Sequence, residues 1–366
     1  MAAADPFTPA LPSEVSDLLA RLPKVELHLH LDGSVRPATA LELARDRLPE
    51  AVMGLNLEAI RDRLVAPMPC RNQAELLAAF DLPIAILQDA DALGRVSAEL
   101  VADLAADGIA YAEIRWAPSL HTVRGMTLRS VIRAVVDGIS AGRETVARDG
   151  QVIEVRLITT AMRSQAPEEA EALARAAGAF LGEGVVGFDL AGPEEAFPNV
   201  RPFGRAFEVA RSAGLGITVH AGEWGGAPQV RRALELDPAR IAHGAPAADD
   251  PALLDELRAR DVVLDLCPTS NWQAGLVRRL PDHPLPHLLR AGVPVTLSTD
   301  DRTVSAISLS EEYGRGHALL GLSLPELGAL DRRAVKAAFL ETAPALRARL
   351  DTRIASFLSV EPTFSA

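Results

Sequence analysis

Two histidines separated by one leucine are the first feature of the sequence that could carry chemistry. His28 and His30 stand in the alternating run Leu27–Leu31. Alternate side chains of a β-strand face the same way, so both imidazoles would share one face while the leucines cover the other. Two imidazoles arranged in this way can bind one metal ion. A buried pair held only by hydrogen bonds is the competing interpretation, and this motif alone leaves both open.

Three further polar segments follow short apolar runs, each at the point where a strand would end. They begin at His220, His243 and Asp300, and the first also carries Glu223. The carboxyl ends of the strands of a parallel barrel converge on one mouth, where active sites are built. Four of the eight histidines thus fall at predicted strand ends, which favours a mononuclear metal site. The other four are interpreted as scattered structural residues: His121, His283, His287 and His317.

The predicted ligand set indicates which metal it would bind. Three imidazoles and one carboxylate from these strand ends would suit Zn²⁺, with Fe²⁺ or Co²⁺ as substitutes. Such an ion lowers the pKa of a bound water to about 7. Glu223, three residues beyond a ligand histidine, could then reach the substrate as a general acid. Its alternative role is that of a carboxylate stabilising the start of a helix.

The elements that must position these residues alternate between short β-like runs and longer helical runs. Eight repeats predict a single (β/α)8 TIM barrel of the α/β class rather than an open sheet. Residues 55–104 are too many for one crossover, so we expect extra helices after strand 1 that act as a lid. Ser323 begins a capping box, and Asp331 is predicted to cap the following helix. The predicted strands are Val25–Leu31, Ile109–Trp116, Val152–Thr159, Val185–Leu190, Gly216–His220, Arg240–His243, Val262–Cys267 and Val293–Thr299.

Composition and charge exclude several classes of protein. Of the 366 residues, 48% are hydrophobic and 23% charged, which is typical of a globular chain and not of a disordered or fibrous one. The net charge of −12 argues against nucleic acid or an anionic membrane as a partner. Cys70 and Cys267 form no CxxC pair and are interpreted as free thiols.

The same overview predicts how the chain is organised. Residues 1–12 are expected to be a disordered arm, and residues 13–366 one metal-dependent domain. No secretory signal and no membrane span is found in the sequence, so a cytoplasmic location is expected. The oligomeric state is left open.

Six motifs, taken together, resemble those of the adenosine deaminase family, within the amidohydrolase superfamily. Their order and separations agree with that family from about residue 20 to about residue 350. One such motif would be weak evidence, but six in register are highly specific. The motifs are Pro23–Ser34 (PKVELHLHLDGS), Asp189–Gly192 (DLAG), His220–Glu223 (HAGE), His243–Gly244 (HG), Cys267–Asn271 (CPTSN) and Ser298–Asp301 (STDD).

The resemblance implies a metal site and two catalytic residues. Glu223 would share a proton with purine N1, and His243 would orient the attacking hydroxide and take its proton. Ser270 would support the metal side by contacting a ligand. The zinc ligands would be His28, His30, His220 and Asp300.

The resemblance also implies the reaction and the substrate contacts. Zinc-activated hydroxide would attack C6 of adenosine or 2′-deoxyadenosine, releasing ammonia and leaving inosine or deoxyinosine. Asp301 would hydrogen-bond N7, and the backbone N–H of Gly192 would meet N3. Asp32 would bind the ribose hydroxyls, and His30 would border the substrate.

There are two alternatives to the deamination of adenosine: the same reaction on another 6-aminopurine, and a binding module without catalytic activity. The same chemistry could serve aminodeoxyfutalosine, free adenine or an N6-substituted adenine, because Trp224 and Arg302 depart from the family pattern beside the expected pocket. Asp32 favours a nucleoside, since relatives that act on free adenine tend to carry glutamate there; a turn-forming Asp-Gly pair is the competing interpretation. A non-catalytic binding module would show a damaged site, whereas every matching residue is present. The HxE and PCxxC signature of the other zinc deaminases is absent.

Overall fold

The inner layer of the protein consists of eight parallel strands. A computed structural model describes residues 11–364. The strands are short and almost fully buried, as expected where helices cover a parallel sheet. They are β1 (Lys24–His30), β2 (Ile109–Trp116), β3 (Glu154–Met162), β4 (Val185–Ala191), β5 (Gly216–Ala221), β6 (Arg240–His243), β7 (Val263–Leu266) and β8 (Val295–Leu297).

Each strand pairs with the next one in sequence order, from β1 to β8. Beyond the end of β8 the chain returns to β1. The His30 N–H donates to the Asp300 carbonyl at 2.7 Å, and the Asp300 N–H donates to the His28 carbonyl at 3.0 Å. These two bonds join the ends of the sheet at the barrel mouth and place Asp300 beside the histidine pair. The predicted single (β/α)8 barrel is confirmed.

Helices surround the strands, and one of them begins at a signal found in the sequence. They are α1 (Ser13–Arg21), α2 (Pro37–Arg47), α3 (Leu57–Leu64), α4 (Gln73–Leu77), α5 (Asp81–Ile86), α6 (Ala90–Ala106), α7 (Leu128–Arg148), α8 (Pro167–Gly178), α9 (Gly204–Ser212), α10 (Ala227–Ala233), α11 (Pro251–Ala259), α12 (Pro268–Gln273), α13 (Leu285–Arg290), α14 (Leu309–Ala318), α15 (Leu324–Ala337) and α16 (Pro344–Val360). Ser323 forms the predicted capping box at the start of α15.

One predicted helix signal is wrong. Asp331 lies inside α15 and does not cap a following helix. Its carboxylate Oδ1 accepts hydrogen bonds from the Val25 backbone N–H at 2.8 Å and from the Tyr313 hydroxyl at 3.0 Å. A side chain this deeply buried is used for a tertiary contact, which local sequence cannot reveal. Asp331 therefore connects α15 to the first residues of β1.

The extra helices expected after the first strand are α2 to α6, which precede β2. The middle of this insertion lies over the barrel mouth. There Gln73, Leu76, Phe80, Asp81 and Ile84 line the cavity into which the strand ends point. The insertion therefore forms one wall of the site.

Buried ion pairs fill part of the barrel interior below the mouth. Arg240 lies 2.5 Å from Glu113 and 3.0 Å from Asp265, and all three side chains are fully buried. Arg115 lies 3.2 Å from Asp189, which places a fixed charge pair directly beneath the site. Each of these charges has an oppositely charged partner, the condition under which the burial of charge is tolerated.

The predicted boundaries agree with the structure to within a few residues. β2 and β6 match the predicted ranges, whereas β3 runs on to Met162 and β8 ends at Leu297. Of the predicted arm, residues 1–10 lie outside the described residues, so the arm stays a prediction. Among the helices described, none is both long enough and apolar enough to cross a membrane.

Candidate metal centre and active site

Four side chains from β1, β5 and the turn after β8 converge at the barrel mouth. One ligand atom from each of His28, His30, His220 and Asp300 lies within 4.8 Å of all the others. The carboxylate oxygen Oδ1 of Asp300 is 2.9 Å from His28 Nε2 and 3.3 Å from His30 Nε2. All four residues were predicted as ligands from positions spread over more than two thirds of the chain.

The hydrogen-bond pattern of this cluster fits a cation. Nε2 of His30 lies 3.2 Å from Nε2 of His220, although two neutral imidazoles facing each other in this way share at most one hydrogen bond. Nε2 of His28 is buried, and its 2.9 Å contact with the Asp300 carboxylate does not have hydrogen-bond geometry. Lone pairs that converge without donors are what a divalent ion satisfies, and three imidazoles with one carboxylate form a zinc-type donor set. The residues present therefore fit the predicted metal.

Burial favours the neutral form of two of these imidazoles, His28 and His220. Burial lowers the pKa of His28 well below its usual value, and the Arg115 guanidinium lowers it further. Burial also lowers the pKa of His220, against the opposing effect of Asp189. Nδ1 of His220 lies 2.9 Å from Asp189 Oδ2, a contact that holds the Nδ1 proton and directs the Nε2 lone pair into the cluster. Asp189 has this role in the structure, although the sequence analysis noted only its motif.

A second group of side chains overlaps the first and faces the cavity. Glu223, His243 and Asp300 each place one polar atom within 4.8 Å of the others. Burial raises the pKa of Glu223 well above its usual value, and the Asp300 and Glu194 carboxylates raise it further. Glu223 therefore keeps its proton to a higher pH than an ordinary glutamate does, and it faces the cavity as a candidate proton donor.

Two of these residues have strained backbones. The φ angle is +67° at His243 and +68° at Asp300, in the left-handed region that non-glycine residues rarely adopt. Such strain is typically found where the surroundings force a side chain into a working position. At this mouth it turns both side chains inward at the point where their strands end.

The three predicted substrate contacts border the same cavity. Asp32, Gly192 and Asp301 all line it. The carboxylates of Asp32 and Asp301 each have one buried oxygen, Oδ1, with no hydrogen-bond partner. Burial, together with the Asp300 and Asp32 carboxylates, raises the pKa of Asp301 well above its usual value. Asp301 is therefore available as a hydrogen-bond donor to a ring nitrogen.

Ser270 lies where the sequence predicted it. Its hydroxyl donates to Asp300 Oδ2 at 2.6 Å, which orients the carboxylate of that ligand. Its neighbour Asn271 was not assigned a role, yet its Nδ2 lies 3.1 Å from His243 Nδ1. On the other side, Asn271 Oδ1 lies 3.0 Å from Nε2 of His283. His283, interpreted from the sequence as a scattered structural histidine, is thus linked to His243 through one amide.

Glu194 is the other functional residue that sequence reasoning missed. Its carboxylate accepts backbone N–H groups on both sides of the predicted acid: Gly222 at 2.7 Å, Trp224 at 3.0 Å and Gly225 at 3.1 Å. It therefore holds the turn that carries Glu223. The only signal was an acidic residue close behind the DLAG motif, and such residues are common on surfaces.

Two residues expected beside the substrate lie elsewhere. Trp224 packs with Phe80 against the apolar cluster beneath the lid and does not line the cavity. Arg302 lies 3.0 Å from Asp107 and 3.6 Å from Glu26, and it also does not line the cavity. Both follow site residues in sequence, but neither side chain is part of the cavity wall.

The cavity itself has a volume of about 350 Å³, within the range of small-molecule sites. Five carboxylic side chains line it: Asp32, Asp81, Glu223, Asp300 and Asp301. Among the described residues that form its wall there is no lysine and no arginine. The site thus offers metal-type ligands, proton donors and acceptors, but no fixed cation for an anionic group.

Comparison with known proteins agrees with this geometry. A family model for adenosine deaminase matches residues 23–355. The chain belongs to the adenosine deaminase family. The adenosine deaminase of Enterococcus faecalis is 36% identical over 323 residues, which are 87% of this chain and 93% of that protein. The family predicted from the six motifs is confirmed.

Solved structures of other family members share the fold. An N6-mAMP deaminase from Arabidopsis superimposes with a TM-score of 0.82 at 30% identity, covering 93% of this chain and 99% of that one. An amidohydrolase from Burkholderia ambifaria, with bound Zn, has a TM-score of 0.82 at 26% identity, covering 96% and 95%. Family membership supports a hydrolase of the deaminase type.

Proposed function

We propose that this protein hydrolyses 6-aminopurine nucleosides, converting adenosine and 2′-deoxyadenosine to inosine and deoxyinosine with release of ammonia. One observation carries the proposal. The ligand atoms of His28, His30, His220 and Asp300 lie within 4.8 Å of one another at the floor of a cavity that also holds Glu223. A hydrolytic deaminase needs an activated water at C6 and a proton donor at the neighbouring N1. The residues of this site could serve both needs.

The four ligand residues would hold one Zn²⁺, with Fe²⁺ or Co²⁺ as substitutes. The related amidohydrolase with bound Zn supports that choice. When bound, the ion would supply Lewis-acid chemistry, lowering the pKa of a coordinated water to about 7.

Glu223 is assigned as the proton donor to purine N1. Burial and the neighbouring carboxylates raise its pKa, which favours the protonated form, and donation to N1 would make C6 electrophilic. The water oxygen then bonds to C6 while the carbon–nitrogen bond to N6 breaks. Of the two water protons, the reaction delivers one to N1 and one to the departing amine, so that ammonia leaves and C6 becomes a carbonyl.

The remaining cavity residues orient the nucleoside. A protonated Asp301 would donate to N7, which is an acceptor, and the Gly192 N–H would meet N3. The unpartnered oxygen of Asp32 would accept the ribose hydroxyls. Together these contacts hold C6 over the ligand cluster.

A neutral sugar suits this cavity better than a phosphorylated one. A 5′-phosphate is usually bound by arginine, lysine or a helix N-terminus. The described lining residues include no arginine or lysine that could bind such a phosphate. The related N6-mAMP deaminase is named for a nucleotide substrate. The two sites should therefore differ in the charge of the side chains that line them.

A substrate profile tests the proposal. Adenosine, 2′-deoxyadenosine, adenine, aminodeoxyfutalosine and N6-methyl-AMP would be compared by kcat/KM, following purine absorbance and ammonia release. Adenosine and 2′-deoxyadenosine should be preferred by about tenfold or more, a difference of about 1.4 kcal/mol. A higher kcat/KM for one of the other substrates would replace the nucleoside assignment, and a zinc-loaded protein inert on all five would refute deamination of these purines.

A further inference from the structure

A chain of three buried polar side chains leads away from the active site. It runs from His243 at the end of β6 through Asn271 on α12 to His283, just before α13. The two links are 3.1 Å (His243 Nδ1 to Asn271 Nδ2) and 3.0 Å (Asn271 Oδ1 to His283 Nε2). All three side chains are almost fully buried. Neither Asn271 nor His283 lines the cavity, so they act on a substrate only through His243.

His283, the last of these three side chains, fixes the direction of the hydrogen bonds between them. The backbone N–H of Leu285 donates to His283 Nδ1 at 3.2 Å, so that nitrogen carries no proton. Burial lowers the pKa of His283 to about 3, which keeps the ring neutral. A neutral imidazole has one N–H, which in His283 must be at Nε2. This N–H donates to the amide oxygen of Asn271.

The orientation of the Asn271 amide in turn fixes the direction of its hydrogen bond with His243. Because its oxygen accepts from His283, its NH₂ group must face His243. The Nδ1 atom of His243 therefore accepts a hydrogen bond and carries no proton. The single ring proton of His243 is then on Nε2, the atom that lies 3.9 Å from Asp300 Oδ2 at the mouth.

We propose that Asn271 and His283 are positioning residues that hold His243 as the Nε2–H tautomer, so that His243 donates a hydrogen bond to the attacking oxygen instead of removing its proton. This inference rests on the proposed function and refines the role of His243. A ring that already has a proton on its inward nitrogen cannot accept another there. Glu223, in the same cluster, becomes the acceptor for the water proton once it has protonated N1.

Asn271→Asp is the decisive variant. It keeps the shape of the side chain but replaces the NH₂ donor with an acceptor oxygen, so His243 should move its proton to Nδ1. The Asp carboxylate would still accept from His283. ¹⁵N NMR of histidine-labelled protein distinguishes the two tautomers without any turnover. We expect an Nε2–H ring at His243 in the natural protein and an Nδ1–H ring in the variant.

The kinetic consequence follows from the lost donor. Asn271→Asp should lower kcat by about 10- to 100-fold, with KM and zinc content little changed. A kcat equal to or above that of the natural protein would show that His243 acts as a base, and would overturn the proposal. So would an Nδ1–H ring at His243 in the natural protein. If that protein deaminates no purine, the proposed function fails, while the NMR spectrum still decides the tautomer.

His283→Leu and His287→Leu form a matched pair that does not depend on how well the aspartate variant folds. The first removes the donor that orients Asn271; the second changes an exposed histidine four residues away. His283→Leu should lower kcat by about tenfold or more, and the histidine spectrum should show mixed tautomers at His243. His287→Leu should leave both unchanged. Equal kcat values and a single His243 tautomer in both variants would reject a positioning role for His283.

Discussion

The carboxylate of Asp301 lies against the backbone of Gly33, where no larger residue fits. A Cβ atom added to Gly33 would lie 1.7 Å from Asp301 Oδ1. The Gly33 carbonyl also accepts the N–H groups of Thr303 and Val304, so the two turns are tied together. The turn after β1 thus sets the position of Asp301, a predicted base-binding residue in the turn after β8.

Gly33→Ala should therefore displace Asp301. We expect KM for adenosine to rise by about tenfold, the effect of losing one hydrogen bond to the substrate. Zinc content should be retained, because the ligands are not moved directly. Gly182→Ala is the control, since a Cβ there meets nothing within 4 Å. Equal KM values for the two variants would contradict the packing argument.

Glu223→Gln should separate proton transfer from metal binding. The amide cannot deliver a proton to N1, so kcat should fall by about 10²- to 10⁴-fold while the metal stays bound. His220→Ala, which removes a ligand, should lose metal and activity together. Elemental analysis alongside steady-state kinetics distinguishes the two. Near-normal turnover of Glu223→Gln would show that another group is the acid.

Glu194→Gln should weaken the turn that carries Glu223. The carboxylate accepts three backbone N–H groups, and an amide has only one acceptor oxygen for them. We expect a fall in kcat of about tenfold or more with a smaller change in KM, because the acid is misplaced while the binding contacts remain. Glu195→Gln, at the exposed neighbouring position, should behave like the natural protein. Identical kcat values for both variants would reject a positioning role.

Asp189→Asn should weaken metal binding without removing a ligand. The Asp189 carboxylate lies 2.9 Å from His220 Nδ1, and an amide would orient that imidazole less firmly. Loss of such an outer contact costs about 10- to 100-fold in metal affinity or activity. Competition with a coloured chelator measures the affinity directly. Asp137→Asn, on the exposed side of α7, is the control, and an unchanged affinity in both would refute the proposed link.

The stability of the protein should fall as the pH rises through the range in which Asp331 titrates. Burial raises the pKa of Asp331 from 3.8 to about 7. Between these values the folded protein holds a proton that the unfolded chain has released, so this contribution is complete below 3.8 and is lost as pH rises toward 7. The slope is at most about 1.4 kcal/mol per pH unit. Asp331→Asn should reduce this slope of unfolding free energy against pH.

Urea unfolding at several pH values between about 4 and 8 checks this slope. The slope of unfolding free energy against pH is measured for Asp331→Asn and for the natural protein, and the two slopes are compared. Asp17→Asn, at an exposed position of α1, serves as the control. A slope that is the same in all three proteins would mean that Asp331 does not titrate in this range.

The sequence by itself determined the barrel and the candidate metal ligands at its mouth, because both depend on short-range patterns. Eight alternating apolar runs predict eight strands, and a polar residue at the end of a strand must emerge at the barrel mouth. His28, His30, His220 and Asp300 could therefore be assigned to one place without coordinates. The six motifs added the family and the roles of Glu223 and His243.

Only the tertiary structure decided which side chains support those residues. Asn271, His283 and Glu194 are ordinary polar residues in sequence, and they meet the site only because α12, the segment before α13 and the loop after β4 pack against it. Arg302 stands next to a base-binding residue in the chain, yet it turns toward Asp107. Sequence neighbours share a position along a strand or turn, whereas hydrogen-bond direction and burial depend on elements that are distant in sequence and meet only when the barrel closes.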